Sequence, residues 1–292
     1  MANLIAVTGA TGFLGGRVAH LLAERELPQR LVVRDASRAP TFPGATTVGG
    51  VSYGDFEAMR SALTGVETLL FVSATESEHR VAEQINVVDA AKAAGVRRIV
   101  YISFLGASGA CVFTFARHHW ATEEQIRSSG MAFTFLRDNL YLDVLPYFPG
   151  ADGVVRGPAG NGRFGGVARA DVADAAVGAL TTDGHDGVSY DVTGPASISM
   201  ADVAADLTRA SGQLITFDNE TLDQAYASRA KLNAPEWEVA GWVSSYAAIA
   251  AGELDVVSDS VQRLAGHPPM SFATYLERNP AVVDRLRSRK AV

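Results

Sequence analysis

The sequence predicts an α/β fold: a doubly wound parallel sheet carrying a smaller, mostly helical C-terminal lobe. Three observations predict it. The first is the opening unit, residues 4–34. It runs from an apolar Ile5-Ala6-Val7 through a glycine turn to a helical pattern with Val18, Leu21 and Leu22 on one face, then a second apolar run, Leu31-Val32-Val33. Short apolar runs of this kind make strands buried on both faces of a parallel sheet. The second is the repetition of strand and helix as far as residue 137, which implies parallel strands joined by right-handed crossovers. The third is the loss of that regularity afterwards, where Pro146, Pro149, Gly150, Gly153, Gly157, Pro158, Gly160 and Gly162 mark a loop-rich stretch able to build a pocket wall.

Within the opening unit, Gly9, Gly12 and Gly15 stand in G-x-x-G-x-x-G spacing, not G-x-G-x-x-G. Glycines after a first strand let backbone N–H groups approach a pyrophosphate at a helix N-terminus. Their place between a strand and an amphipathic helix makes this a dinucleotide-binding turn rather than a structural one. Residues 34–40 then form a loop, 46–48 a third strand, and Asp55 suits the N-cap of the next helix. Residues 68–73 form a buried strand. A helix over 81–94 turns Ile85, Val88 and Ala91 inward and ends at Gly95. A strand over 98–103, a helix over 119–128 closed by Gly130 and a strand over 133–137 follow. A helix starts at 170 with Asp171 in its first turn, where a carboxylate suits the dipole, and 189–192 is a short strand. From residue 199 the chain is mostly helical.

This arrangement gives a nucleotide-binding domain over 1–145, with 165–195 returning to it. The smaller lobe, 146–164 and 196–292, packs over the C-terminal edge of the sheet, where open α/β folds bind ligands. Trp237, Trp242 and Tyr246 fit either a substrate cleft or, more in keeping with such residues, the core of the lobe.

Composition narrows the function. The 292 residues are 48% hydrophobic and 20% charged, with net charge −7 and pI about 5.4. Nothing in that balance suits nucleic acid or an anionic membrane. The basic group Arg285, Arg287, Arg289 and Lys290 reads as a solvated tail. The single cysteine, Cys111, excludes an intrachain disulfide, suits a reducing compartment and reads as a small packing residue. The N-terminus lacks a basic leader and no apolar segment is long enough for a bilayer, so a cytoplasmic protein is expected. Apart from His118-His119 the histidines are scattered, without zinc-ligand spacing, and neither a nucleophile elbow nor a Walker sequence is present.

Cofactor choice turns on the end of the second strand. An acidic residue there would bind a free ribose 2′-hydroxyl, whereas an arginine would pair with a 2′-phosphate. Arg34 comes first past the strand, ahead of Asp35, and Arg38 can add charge. This favours NADP(H) over NAD(H), the competing reading being a solvated Arg34–Asp35 pair.

TGATGFLGG, VVRD after the second strand, AAKAAGVRRIVYIS, ATEEQIRSSGMAFTFLRDNLY and VARADVADAA together resemble the NmrA-like, atypical short-chain dehydrogenase/reductase family over nearly the whole chain. Within it, HHWATEEQIRSSGMAFTFLRDNLYLD is most similar to the triphenylmethane dye reductases and type-2 NADPH:quinone oxidoreductases. The resemblance implies a Rossmann fold, NADPH as hydride donor, and a cofactor site of Gly9, Thr11, Gly12, Phe13, Leu14 and Arg34. Asp55, Phe56, Ser73, Ala74 and Ser103 complete that expected set.

One departure from the family pattern matters more than the match. Where ordinary members carry a Tyr-x-x-x-Lys pair to supply the proton, this chain has Phe115 and His119. Phenylalanine has no proton to give, and Ser103 alone is a poor acid. A simple ketone would become a basic alkoxide needing such an acid. A quinone gives a phenolate-like anion, and a cationic triarylmethane dye a neutral leuco compound, so positioning can supply most of the catalysis. His119 and Tyr141 are therefore the candidates for orienting the acceptor, with Ser103 beside them; His118 is the exposed alternative to His119. The expectation is an NADPH-dependent reductase of quinone-like or dye-like small molecules. The rivals are a specialised polyketide-type ketoreductase and a non-catalytic NADP(H)-sensing regulator. Oligomeric state is left open.

Overall fold

In the computed structural model, residues 3–288 are described, so Arg289 and Lys290 of the expected basic tail lie outside the described residues. The chain begins with β1 (Ile5–Thr8), α1 (Phe13–Glu24), β2 (Gln29–Val32), β3 (Ala45–Val48) and α2 (Phe56–Leu63). It continues with β4 (Thr68–Val72), α3 (Arg80–Ala93), β5 (Arg98–Phe104), α4 (Thr114–Ser129) and β6 (Ala132–Asp138). Next come β7 (Val154–Gly157), β8 (Arg163–Phe164), α5 (Arg169–Thr181), β9 (Val188–Val192) and β10 (Ile198–Ser199). After these stand α6 (Met200–Ser211), β11 (Thr216–Asn219) and α7 (Leu222–Arg229), then α8 (Glu236–Ala250), α9 (Ser260–Ala265), α10 (Phe272–Arg278) and α11 (Pro280–Arg287).

The main sheet has the order β3-β2-β1-β4-β5-β6-β9, and every pairing in it is parallel. The doubly wound α/β expectation is borne out. Strand order reverses between β1 and β4, which opens a crevice at their C-terminal ends. One face of the sheet is covered by α1, α5 and α9, with Val18, Leu22, Val172 and Val261 buried against it. The other face is covered by α2, α3 and α4 through Met59, Val87 and Ile126. A separate core, including Phe104, Phe164, Val203 and Tyr246, ties the C-terminal helices to the end of β5. Among the described residues, no helix is long and apolar enough to cross a membrane.

Two local expectations need correction. Residues 146–164 are not wholly irregular: β7 pairs in parallel with β11, and β8 pairs antiparallel with β10. Such short strands carry little local pattern, and their partners come much later in the chain. Helix α4 starts at Thr114 rather than residue 119. Its first N–H bonds not to a neighbouring cap but to Ser244 Oγ of α8, at 3.2 Å, a cap supplied from 130 residues away. His119 therefore lies in the second turn, not at the helix start. The aromatics of α8 take the core role: Tyr246 is buried and Trp237 packs against the same cluster, while Trp242 packs on Ala225, Val239 and Val243.

Candidate active site

The first turn is shaped by its glycines. Gly9 has φ +65°, a conformation costly for any residue with a Cβ. A Cβ on Gly15 would lie 2.5 Å from the Gly9 carbonyl, so only glycine lets α1 sit this close to β1. Gly12 caps α1 with no side-chain hydrogen bond, and the first turn contains no acidic residue. The leading N–H groups of α1 thus keep their capacity for an anion.

Two adjoining cavities, of about 520 and 410 Å³, share Gly9, Thr11, Arg34, Ser73 and Ala74 as walls. The smaller extends past Val33, Ser52 and Tyr53 beside β2 and β3. The larger extends past Phe13 and Leu14 to Phe115, His119 and Tyr141. They form one cleft along the C-terminal ends of the central strands, of a size usual for small-ligand sites. The turn fits a dinucleotide: backbone donors face a phosphate-sized space, and the Arg34 guanidinium is in no ion pair among the described residues. The Arg34–Asp35 pair is not formed. Asp35 instead accepts from Ser37 N at 2.9 Å and Ser37 Oγ at 2.6 Å, bonds that hold its carboxyl below the usual range. Arg38 lines neither cavity.

Asp55 and Phe56 are not brought to the cleft. The Asp55 carboxylate caps α2 by accepting Ala58 N–H at 3.0 Å, and Phe56 packs against the core below the sheet. Tyr53, just before them, does line the cleft. Its hydroxyl donates to Val72 O at 2.7 Å, and burial pushes it up to about 12.

The larger cavity is organised by a closed ring of hydrogen bonds around Ala74, just past β4. Arg80 Nε donates to Ala74 O at 2.9 Å, and Arg80 Nη2 meets His119 Nε2 at 3.0 Å. Arginine can only donate, so His119 Nε2 carries the lone pair and Nδ1 the hydrogen. Nδ1–H then donates to Tyr101 Oη at 3.0 Å. Tyr101 donates onward to Gln84 Oε1 at 3.4 Å, which also takes Ala74 N–H at 3.0 Å. Burial, followed by the charge of Arg80, pushes His119 well below the ordinary histidine range. His119 is thus neutral with both nitrogens committed, which removes it as an acid. His118 does not line the cavity.

Ser103 is corrected too. It is fully buried, and its hydroxyl donates to Glu123 Oε1 at 2.6 Å. Glu123, also fully buried, accepts Arg137 Nε at 2.8 Å and Nη2 at 2.6 Å, and Arg127 Nη2 at 2.9 Å. Ser103 and Arg137 are register partners on β5 and β6, so this cluster clamps the sheet to α4 and stands outside the cavity lining. Tyr141 does reach the cavity, with its hydroxyl donated to Asp138 Oδ2. Burial raises both groups well above their usual values. Phe115 is 8% exposed and presents its ring to the cavity, backed by Phe113 and Trp237 at centroid distances of 5.6 and 6.0 Å.

Sequence reasoning missed Arg80, Tyr101, Gln84, Asp138 and Arg169. Arg80 follows Glu76-Ser77-Glu78-His79, a polar run that reads as a solvated surface. Only the fold brings it under β4. Arg169 lies over the Phe13 ring, 4.6 Å from its centroid, and its Nε is 3.0 Å from Asp143. No local signal joins those positions.

Comparison with known proteins gives a consistent picture. The model of a family described as NAD(P)H-binding matches residues 9–183. Quinone oxidoreductase 2 of Escherichia coli (strain K12) is 34% identical over 276 residues, covering 92% of this chain and 96% of that protein. A crystal structure of the E. coli NADPH-dependent quinone oxidoreductase with NADPH superposes with TM-score 0.85 at 32% identity, covering 94% of this chain and 99% of the other. The triphenylmethane reductase of Citrobacter sp., complexed with NADP(H), gives TM-score 0.81 at 29% identity, covering 94% and 99%.

Proposed function

The chain belongs to the NAD(P)H-binding family, and from that premise we propose that it is an NADPH-dependent oxidoreductase that reduces quinone-like or dye-like conjugated small molecules. In this reading Gly9, Thr11, Gly12, Phe13 and Leu14 hold the diphosphate, and Arg34 meets the 2′-phosphate. Ser73 and Ala74 line the way to the reactive ring. NADPH supplies the hydride. The single observation that carries the choice of acceptor is the Phe115 ring standing in the cavity one helical turn from His119.

A site that used simple ketones would need a proton donor there. Here His119 is neutral with both nitrogens engaged, and Ser103 is spent on Glu123. The chain's own contribution is positioning. The ring of bonds through Arg80, His119, Tyr101 and Gln84 holds the Ala74 backbone, while Phe115 and Tyr141 bound the space beside it and exclude water. Tyr141, its hydroxyl donated to Asp138, bounds the cavity through its ring.

The test is to follow NADPH absorbance with the purified protein and a panel of quinones, triarylmethane dyes and aliphatic ketones. Turnover of quinones or dyes with ketones inert is the expected result. Tight NADP(H) binding without turnover of any acceptor would overturn the enzymatic reading in favour of a dinucleotide sensor.

A further inference from the structure

We propose that Arg80 receives the negative charge formed on an oxygen-terminated acceptor, and that it makes this cleft selective for quinones over cationic dyes. The inference rests on the reductase reading above and narrows it to one substrate class.

Arg80 opens α3, is 2% exposed and lines the larger cavity. Its Nε and Nη2 are satisfied by Ala74 O and His119 Nε2, but Nη1 is buried with no partner. No carboxylate forms an ion pair with it among the described residues. A buried guanidinium with unused N–H groups is costly unless something polar or anionic meets it. The groups packed around it do not cancel its charge. His119 Nε2 accepts from Arg80 as a neutral imidazole, and the Asp138 carboxyl takes its hydrogen bond from Tyr141 rather than from Arg80. Elsewhere on the cavity wall, Glu76 is exposed at the rim and Arg169 is already paired with Asp143. Arg80 therefore brings a positive charge to the cavity wall it shares with Phe115, and its buried Nη1 keeps a donor that no protein group uses.

Quinone chemistry fits that wall. The C4–H bond of the dihydronicotinamide breaks with its electron pair, and an O–H bond forms on one quinone oxygen. The two electrons move through the ring to leave the hydroquinone monoanion, charged on the far oxygen. Solvent supplies the second proton after release. Arg80 Nη1 donates to the charged oxygen as that charge develops, in a water-poor site where such a contact is strongest. A cationic triarylmethane dye gains nothing from it. Hydride ends on its central carbon, no oxyanion forms, and the incoming cation meets a like charge.

The experiment compares wild type, Arg80→Met and Arg80→Lys on 1,4-naphthoquinone and malachite green at saturating NADPH. Arg80→Met should lower kcat/KM for the quinone by on the order of 10²-fold. The dye value should fall by at least about tenfold less than the quinone value, the shared part of the loss being the bond to Ala74 O, and Arg80→Lys should recover part of the quinone activity. Because the ratio of the two acceptors is taken within one preparation, a misfolded fraction cancels.

A second readout does not depend on turnover. Titration calorimetry on the wild-type protein with NADP⁺ should find ionised pentafluorophenol bound at least about tenfold tighter than its neutral methyl ether, a preference lost in Arg80→Met. Equal losses on both acceptors, or a phenolate bound no better than the ether, would overturn the proposal. A wild-type protein that binds the phenolate selectively but reduces no quinone would instead overturn the functional reading and leave the charge site standing.

Discussion

Replacing Glu123 with glutamine separates structural from chemical roles in this site. The Glu123 carboxylate is fully buried and accepts hydrogen bonds from Ser103 Oγ, Arg137 Nε, Arg137 Nη2 and Arg127 Nη2. A glutamine amide turns one acceptor oxygen into a donor facing donors and removes the charge from two guanidinium groups. Breaking a buried pair by changing one partner costs roughly 3–5 kcal/mol. The lower end applies here, because Arg137 and Arg127 are 22% and 34% exposed and recover some hydration. At about 2–3 °C per kcal/mol for a chain of this size, a loss of about 3 kcal/mol lowers Tm by roughly 6–9 °C. Ser103→Ala removes only one donor and should cost about 1 kcal/mol. The assay is thermal unfolding followed by circular dichroism, with quinone turnover measured in parallel well below Tm. Both variants should keep at least half of the wild-type kcat while losing stability in that order. A Ser103→Ala protein with unchanged Tm and a hundredfold lower kcat would refute the reasoning, because the hydroxyl would then be acting in the cleft.

Three further outcomes are expected. Arg34→Ala should raise the Kd for NADPH by roughly tenfold or more and leave that for NADH within about twofold, as measured by calorimetry; equal weakening would remove the 2′-phosphate role. Phe115→Tyr should leave quinone turnover within about threefold, since no acid is limiting, and a large gain in steady-state rate would contradict that. His119 is held neutral in the folded protein by burial and by Arg80. The unfolded chain therefore binds more protons below about pH 6.5, and stability is lost as pH falls through that value. Buried Asp138 works in the opposite sense, holding its proton in the fold, so the comparison must be differential. Tm measured from pH 7.5 to 5.0 should fall less steeply for His119→Asn than for wild type, and parallel curves would show that the histidine is not buried neutral.

The sequence alone determined the parallel sheet, the crevice turn and the direction of the chemistry. Each rests on neighbours in the chain: apolar runs of strand length, Gly9, Gly12 and Gly15 before an amphipathic helix, and Phe115 one helical turn from His119. Local spacing constrains local geometry, and strand–helix alternation leaves few topologies open. The tertiary structure decided how the polar groups are used. It took Ser103 out of the cleft and tied it to Glu123. It packed Phe56 into a core, started α4 on a hydroxyl from α8, and joined Arg80, from an apparently solvated run, to His119. The hydrogen bonds of Ser103, Arg80 and α4 named here join residues 20 to 130 positions apart. A buried charge or hydroxyl is satisfied by whatever the fold brings within hydrogen-bond reach, and sequence spacing does not encode that distance.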